Sequence, residues 1–235
     1  MPASRVPVTT NQRRPRADAG MAFQILDVAE RLVQQRGFNG FSYADIASEL
    51  HVSKAALHYH FAGKAELGEA LIARYSTSFA AALGALDNAD FDAPAKLEGY
   101  ARLYLDVLRN ERMCMCGMLA AEYQTLPGTM QSAVRDFFNA NESWLERVIE
   151  QGHREGTFRA GESARDVARA IVGGFEGAML VARPYGDIAR FQAAVRQLLI
   201  GLAASPRIEP ASVEGASTVN NGRKVARTGG RRRTY

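Results

Sequence analysis

Apolar residues recur at helical spacing near the start of the chain, at Phe23, Ile25, Leu26, Val28, Ala29, Leu32 and Val33. That period predicts an amphipathic helix. "RGFNGF" ends it, with Gly37 suited to the left-handed C-terminal position. Two short helices follow. Ser42 can cap the first, with Asp45 three residues later completing a capping-box pattern, and Ala44, Ile46, Ala47 and Leu50 run along it. The turn Leu50-His51-Val52-Ser53 leads to the second, capped by Ser53 and running from Lys54 to about Phe61. "AGK" then opens a long helix over about 64–86, and the loop "DNADFDAP" closes it. Further helical patterns cover about 94–109, 113–125, 128–155, 163–182 and 187–204. "LPGT", "REGTFRAGES" and "RPYGD" separate several of them. Strand-like alternation is absent and no internal repeat is visible. The pattern predicts an all-α chain of about nine helices, with a small three-helix unit ahead of a larger helical domain. The boundary falls inside the long helix near residue 70, which divides the chain into residues 19–70 and 71–204.

Composition refines this picture at the ends. The chain has 235 residues, 47% of them hydrophobic, enough for a real core. No run of about 18 apolar residues appears, so no membrane helix is expected. The N-terminus lacks the apolar stretch of a signal peptide. Two cysteines, Cys114 and Cys116, are too few and too close for a disulfide framework, so a cytoplasmic setting is the simplest. The net charge of +4 hides an asymmetry. Residues 1–16 carry four arginines and residues 220–235 carry six Lys or Arg, with no acid in either stretch, so residues 17–219 sum to −6. Residues 1–18, rich in Pro, Thr and Arg, read as a disordered basic arm, and residues 205–235 as a disordered basic tail. Such arms suit a polyanion, nucleic acid first; a tail that only aids solubility is the alternative.

Residues 42–61 have the layout of a helix-turn-helix: two short helices, a short turn and a small residue, Ala47, where they cross. Ile46, Leu50, Val52, Leu57 and Phe61 have the spacing of a shared core. With Leu57 and Phe61 facing inward, Lys54, His58, Tyr59 and His60 are left on the outer face and its edges. A recognition helix presents its N-terminal half to the major groove. Ala55 and Ala56 permit close approach there, and polar aromatics reach phosphates or base edges.

Three of the chain's four histidines, His51, His58 and His60, fall in this segment, which raises the question of a metal or a catalytic centre. A metal site wants two His at i, i+4 on one face; His58 and His60 are two apart, and His51 lies across the turn. No nucleophile with a partner base and no Gly-rich phosphate loop is evident. The sequence calls for no metal, no cofactor and no enzymatic activity.

The stretch "FSYADIASELHVSKAALHYHFAGKAELGEALIARY" closely resembles the DNA-binding region of TetR-family transcriptional regulators, over about residues 21–75. A capped "Y-x-x-I-A" helix, "V-S-K-x-x-L-x-Y-H-F" and a Lys-plus-acid helix start occur in register. The resemblance implies a homodimer on a near-palindromic operator, usually a repressor, that leaves double-stranded DNA when a small-molecule effector occupies the larger domain. An activator, or a DNA-binding protein without a ligand, is the alternative. It also implies a DNA-facing set of Ser42, Tyr43, Ser53, Lys54, Tyr59, His60 and Lys64. In that set Lys54, Tyr59, His60 and Lys64 bind phosphate, and Ala55, Ala56 and His58 lie near base edges. His51 stands where the family usually has Gly, at a position that prefers positive φ, which histidine tolerates at some cost. Residues 13–16, "RRPR", could track phosphates or enter the minor groove.

In the larger domain, "RMCMCGMLAAE" resembles a subgroup of the same family in which Cys, Gly and Leu-Ala open the sixth helix. Some of its members sense reactive electrophiles or small unsaturated acids, which makes Cys114 a candidate sensor or pocket residue. The competing reading is a small buried hydrophobe. Leu103, Tyr104, Val107, Met118, Trp144, Phe175 and Met179 are candidate walls of an apolar pocket or plain core. Glu176, an acid in an apolar, Gly-flanked helix, could meet a ligand, an Arg or solvent. "AIVGGFEGAMLVA" and "RFQAAVRQLLIGLAA" are candidate dimer helices, with Gly173, Gly174, Gly177 and Ala178 allowing close approach and Leu198, Leu199 and Leu202 forming an apolar stripe. That stripe could equally pack within the subunit.

Overall fold

The computed structural model describes residues 14–204. The arm over residues 1–13 and the tail over residues 205–235 lie outside the described residues. Among the described residues there are nine α-helices and no strand. Helix α1 spans Arg14–Arg36, α2 Tyr43–Leu50, α3 Lys54–His60, α4 Lys64–Asn88, α5 Ala93–Arg109, α6 Met115–Ala121, α7 Gly128–Glu155, α8 Ala164–Ala182 and α9 Ile188–Leu202.

Three expectations change. Helix α1 starts at Arg14, so residues 14–18, read from composition as part of a disordered arm, are helical. Pro15 is compatible with this because the first turn of a helix needs no N–H partner. Phe23 is 61% exposed rather than on the buried face. The stripe is Ile25, Val28, Ala29, Leu32 and Val33, and a residue two before Ile25 points about 200° away from it. The sixth helix is shorter than 113–125. Met113 and Cys114 precede it, and a 3₁₀ turn, Tyr123–Thr125, follows it.

The helix-turn-helix core is as the spacing predicts. Ile46, Ala47, Leu57 and Phe61 are buried, with Leu50 and Val52 half-buried against them. Helix α2 begins with Ser42, whose backbone N–H and hydroxyl both donate to the Asp45 carboxylate, at 2.8 and 2.7 Å. These bonds pull the Asp45 carboxyl below the usual carboxylate range. At the start of α3 the Ser53 hydroxyl accepts from the Ala56 N–H at 3.2 Å. Helix α4 leaves this unit and runs into the larger domain. There α7 packs on α4 and α5, α8 on α7, and α9 on α8 and α5. Arg74 on α4 pairs with Asp27 and Glu30 of α1, at 2.6 and 2.7 Å. No helix among the described residues is long and apolar enough to cross a membrane.

His51 ends α2 in the left-handed region, at φ 55° and ψ 39°. The Val52 N–H returns to the Ala47 carbonyl at 3.0 Å, the cross-bond of a Schellman ending. Histidine therefore occupies a glycine conformation, as its place in the motif implies. Left-handed backbone costs a non-glycine residue about 1–2 kcal/mol. His51→Gly is expected to stabilise the protein by somewhat less than this, because glycine also loosens the unfolded chain. A rise in Tm of about 2–4 °C is the outcome to look for in thermal melts; a fall would mean that the His51 side chain itself holds the turn.

Candidate functional site

The outer face of α3 carries Ser53, Lys54, Ala55, His58 and Tyr59, all exposed, with Ala56 and His60 half-buried at its edges. Tyr59 is 74% exposed, with the His60 ring edge-on to it, 5.1 Å between centroids. The short α3 stands out because Leu57 and Phe61 anchor it from behind.

Two other residues of the implied DNA-facing set are bonded within the protein. The Tyr43 hydroxyl donates to the Phe61 carbonyl at 3.0 Å and its ring lies 4.7 Å from that of His58. This ties the start of α2 to the end of α3. Burial, and the nearby Glu66 charge, raise the Tyr43 hydroxyl above its usual pKa. The Lys64 ammonium donates to the Phe41 carbonyl and lies 4.3 Å from the Phe41 ring centre and 4.8 Å from that of Phe38. Desolvation lowers its pKa. Both side chains line, with Ser42, Lys54 and His58, a shallow cleft of about 390 Å³ beside α3. His58 Nδ1 bonds the Ala62 carbonyl at 3.1 Å, so as an N–H donor it closes the end of α3. The three histidines are thus a helix cap, a bonded ring and an edge contact. Among the described residues no group of three or more His, Cys, Asp or Glu side chains could hold a metal ion.

The end of α1 is where the DNA-binding unit meets the larger domain. Glu122, just past α6, accepts from the Phe38 N–H at 2.6 Å and the Asn39 N–H at 3.2 Å. The Asn39 side chain donates to Thr125 Oγ1 at 2.7 Å. The Met113 N–H donates to the Gln34 carbonyl at 3.2 Å, and the Arg183 guanidinium reaches the Gln35 carbonyl. Sequence reasoning missed Glu122, Met113 and Arg183, because no local pattern marks a contact between residues about eighty positions or more apart.

Of the candidate pocket residues, Tyr104, Cys114, Trp144, Phe175 and Met179 are buried, while Leu103, Val107 and Met118 are half-buried. None of these, nor Glu176, lines the open clefts between α5 and α9 or between α4 and α7. Trp144 is core: it stacks on Tyr100, 5.7 Å between centroids, and its Nε1 donates to Asp87 at 2.9 Å. Around Glu176 the interior is polar. The Tyr100 and Tyr104 hydroxyls are 3.0 Å apart, and Tyr100 also donates to Asn141 Oδ1 at 3.3 Å. The Tyr75 hydroxyl lies 3.7 Å from Cys114 Sγ, which accepts the Gly117 N–H at 3.4 Å and so caps α6. Gly117 leaves room for Glu176, whose carboxylate a Cβ there would strike. The Glu176 stem is partly exposed, but Oε1 is buried and has no hydrogen-bond partner. Tyr75, Tyr100 and Asn141 were not foreseen as members of this cluster.

Burial, and then the Glu176 charge, push the Cys114 thiol well above its usual pKa; Cys116 is pushed up in the same way. A nucleophilic cysteine needs the reverse shift. Cys114 is built as a helix cap within the core, which favours the small buried residue over the electrophile sensor.

Among the described residues, an exposed helix-turn-helix ahead of a larger helical domain is the layout of a DNA-binding regulator. Residues 25–71 match the model for bacterial regulatory proteins of the tetR family, and residues 93–198 match the tetracyclin repressor-like C-terminal domain. The transcriptional regulator AcuR of Cereibacter sphaeroides is 30% identical over 192 residues, 76% of this chain and 84% of that protein. A TetR-family regulator from Agrobacterium tumefaciens is 32% identical with a TM-score of 0.77, covering 80% of this chain and all of the other. A TetR regulator from Legionella pneumophila is also 32% identical, with a TM-score of 0.70, over 76% and 95%. The chain belongs to the TetR family of transcriptional regulators. It is a DNA-binding transcription factor and not an enzyme. Regulators of this family bind DNA, dimerise and bind small molecules.

Burial raises the Glu176 carboxyl above its ordinary 4.5, while the neighbouring Cys114 and Tyr104 pull the other way. A raised carboxyl binds its proton more readily in the folded chain. Its contribution to stability is therefore full below the unfolded pKa and is lost as pH rises through the folded one. Glu176→Gln removes that loss. The variant is expected to match the parent Tm at about pH 4 and to exceed it at about pH 7, by about 2–4 °C for each kcal/mol recovered. Melts at the two pH values check this; an excess that shrinks as pH rises would contradict it.

Proposed function

We propose that this regulator is a homodimeric repressor that a small-molecule effector releases from its operator, working in the cytoplasm where that operator lies. The observation that carries the reading is the Glu176 carboxylate, which lies over Gly117 of α6 with its Oε1 buried and without a partner. An acceptor buried without a donor costs about 1–3 kcal/mol. A ligand that supplies the donor recovers this cost, and needs room beside α6 to do so. A few residues along the same segment, Glu122 holds the loop ahead of α2. A displacement of α6 therefore reaches the helix-turn-helix directly, and the ligand shifts the population toward a spacing that no longer fits the operator.

On the DNA side, Ser53, Lys54, Ala55, Ala56, His58, Tyr59 and His60 form the contacting surface. Lys54 and Tyr59 hold phosphate, and Ala55, Ala56 and His58 face base edges. Ser42, Tyr43 and Lys64 flank it, and Tyr43 and Lys64 contribute by fixing the angle between α2 and α3 as much as by touching DNA. Two copies join through α8 and α9. Gly173 and Gly177 face open space, and Leu180, Val181 and Ile200 are 58%, 58% and 59% exposed. Gly174 instead packs against Leu198 of α9 within the subunit. Two recognition helices about 34 Å apart then meet successive major grooves.

The test uses an operator selected from randomised duplexes by the protein itself. Tyr59→Ala is expected to weaken binding to that duplex about ten-fold or more, a change of at least about 1.4 kcal/mol, with unchanged helical circular dichroism. Unchanged affinity would remove α3 from the role of recognition helix.

A further inference from the structure

A cleft of about 370 Å³ opens between the α5–α6 connection and the turn from α8 to α9, and neither Glu176 nor the residues around it line it. Its lining includes the apolar Leu108, Met113, Ala182 and Ile188 and three arginines, Arg109, Arg112 and Arg183. Pockets of about 300–1,000 Å³ with an apolar lining and a few convergent polar groups are the usual setting of small-molecule sites.

The arginines differ in their commitments. Arg109 pairs with Asp106 at 3.0 Å, an exposed contact within one helix. Arg183 spans to the Gln35 carbonyl of α1 and lies 3.4 Å from the Met118 sulfur. Arg112 Nε is buried and has no hydrogen-bond partner. A guanidinium N–H shut away from water without an acceptor is costly, and such groups in folded proteins call for an explanation. Two acids also line the cleft, Glu111 and Asp187. Asp187 is engaged: it accepts the Ala189 N–H at 2.9 Å at the start of α9 and faces Arg190 at 3.5 Å. Glu111 alone remains to oppose the arginines.

The backbone that places Arg112 is strained and held. Glu111 has φ 56°, a left-handed conformation that a non-glycine residue adopts at a cost. Its N–H bonds the Leu108 carbonyl at 2.9 Å, and the Arg112 N–H bonds the Val107 carbonyl at 3.1 Å. The next residue, Met113, donates to Gln34 of α1. The same short connection thus carries the buried, unpartnered Arg112 Nε and one of the contacts that dock α1.

We propose that this cleft binds a small oxyanion, a carboxylate or phosphate group on a compact apolar body, through Arg112 and Arg183, and that its occupancy weakens the docking of α1. Guanidinium groups hold carboxylate and phosphate through paired, charge-assisted hydrogen bonds. An oxyanion is the acceptor that Arg112 Nε lacks. It also competes with the neutral Gln35 carbonyl for Arg183, and a charged acceptor wins that competition. Operator DNA and the anion then oppose each other, by the same factor in both directions. The site does not depend on the Glu176 effector centre, since its charge preference is opposite and it shares no lining residue with that centre.

The test is calorimetric titration and thermal melting of the full chain with inorganic phosphate, with butyrate and with choline chloride, at constant ionic strength, followed by operator titration. Phosphate or butyrate is expected to raise the Tm and to shift the NMR resonance of the Arg112 Nε–H, while choline does neither. Whichever of the two oxyanions acts identifies the source chemistry. Arg112→Gln and, separately, Arg183→Gln are expected to weaken that binding about ten-fold or more. Arg112→Lys, which keeps the charge and loses the fork, should fall between. The Nε–H shift in the parent protein tests the site even where a variant fails to fold. The proposal is overturned if neither oxyanion binds, if choline acts equally, or if Arg112→Gln binds as the parent does. Binding that leaves operator affinity unchanged would overturn the coupling to α1.

Discussion

A helix ends with carbonyls that have no partner inside it, and in α1 those ends are satisfied by the larger domain. The Val33 carbonyl is taken locally by the Gly37 N–H at 2.8 Å. The Gln34 carbonyl is taken by Met113 and the Gln35 carbonyl by Arg183. The chain then turns at Gly37, φ 83°, and offers the Phe38 and Asn39 N–H groups to Glu122. Glycine is needed there twice, for the left-handed turn and because a Cβ would come within 2.6 Å of the Glu122 carboxylate. This junction, together with α4 and its Arg74 pairs to α1, sets the attitude of the helix-turn-helix, since α2 and α3 follow directly from the loop that Glu122 holds.

Helix α6 connects that junction to the interior. It is only seven residues long, too short to hold its own shape in isolation, so its position follows from its buried face and from what grips its ends. Cys114 caps one end from within the tyrosine cluster, and Glu122 lies at the other on the α1 loop. Between them Gly117 lets the Glu176 carboxylate sit against the helix. Met115, Cys116 and Leu119 fix the same helix in the core, so one short element links the surroundings of Glu176 to the loop ahead of α2.

Much of this was legible in the chain and the remainder was not, for identifiable reasons. Local chemistry could be read: the Ser53 cap, the Gly37 ending, the left-handed place of His51, and the long helices α7 and α8 to within a residue. Each of those depends on neighbours in sequence. Phe23 was misplaced because a run of apolar residues was read without its angular position. The sixth helix was overdrawn because Met113 and Cys114 are apolar yet lie in the connection that caps it. Tyr43 and Lys64 fit a DNA-facing pattern by position, but their bonds to Phe61 and Phe41 appear only once α2, α3 and the start of α4 are packed together. The contacts of Glu122 and Arg183 join parts of the chain 84 and 148 residues apart, and no periodicity records them.

The size of the junction decides whether it can act as a switch. Moving a two-state equilibrium from 1:99 to 99:1 takes about 5.5 kcal/mol of differential binding. A hydrogen bond contributes about 0.5–1.5 kcal/mol net. The bonds that larger-domain groups make to Gln34, Gln35, Phe38 and Asn39 therefore sum to a few kcal/mol, the same scale. A much larger interface would lock the DNA-binding unit against any small ligand, and a single bond would leave it loose without one. Glu176, against Gly117 of α6, and Arg112, on the strained connection ahead of it, each carry one buried polar atom without a partner, Oε1 and Nε. Satisfying either changes the energy of that connection by about what one or two of the junction bonds are worth. On the proposed reading, these unmet polar groups lie where a modest ligand affinity suffices to shift the helix-turn-helix.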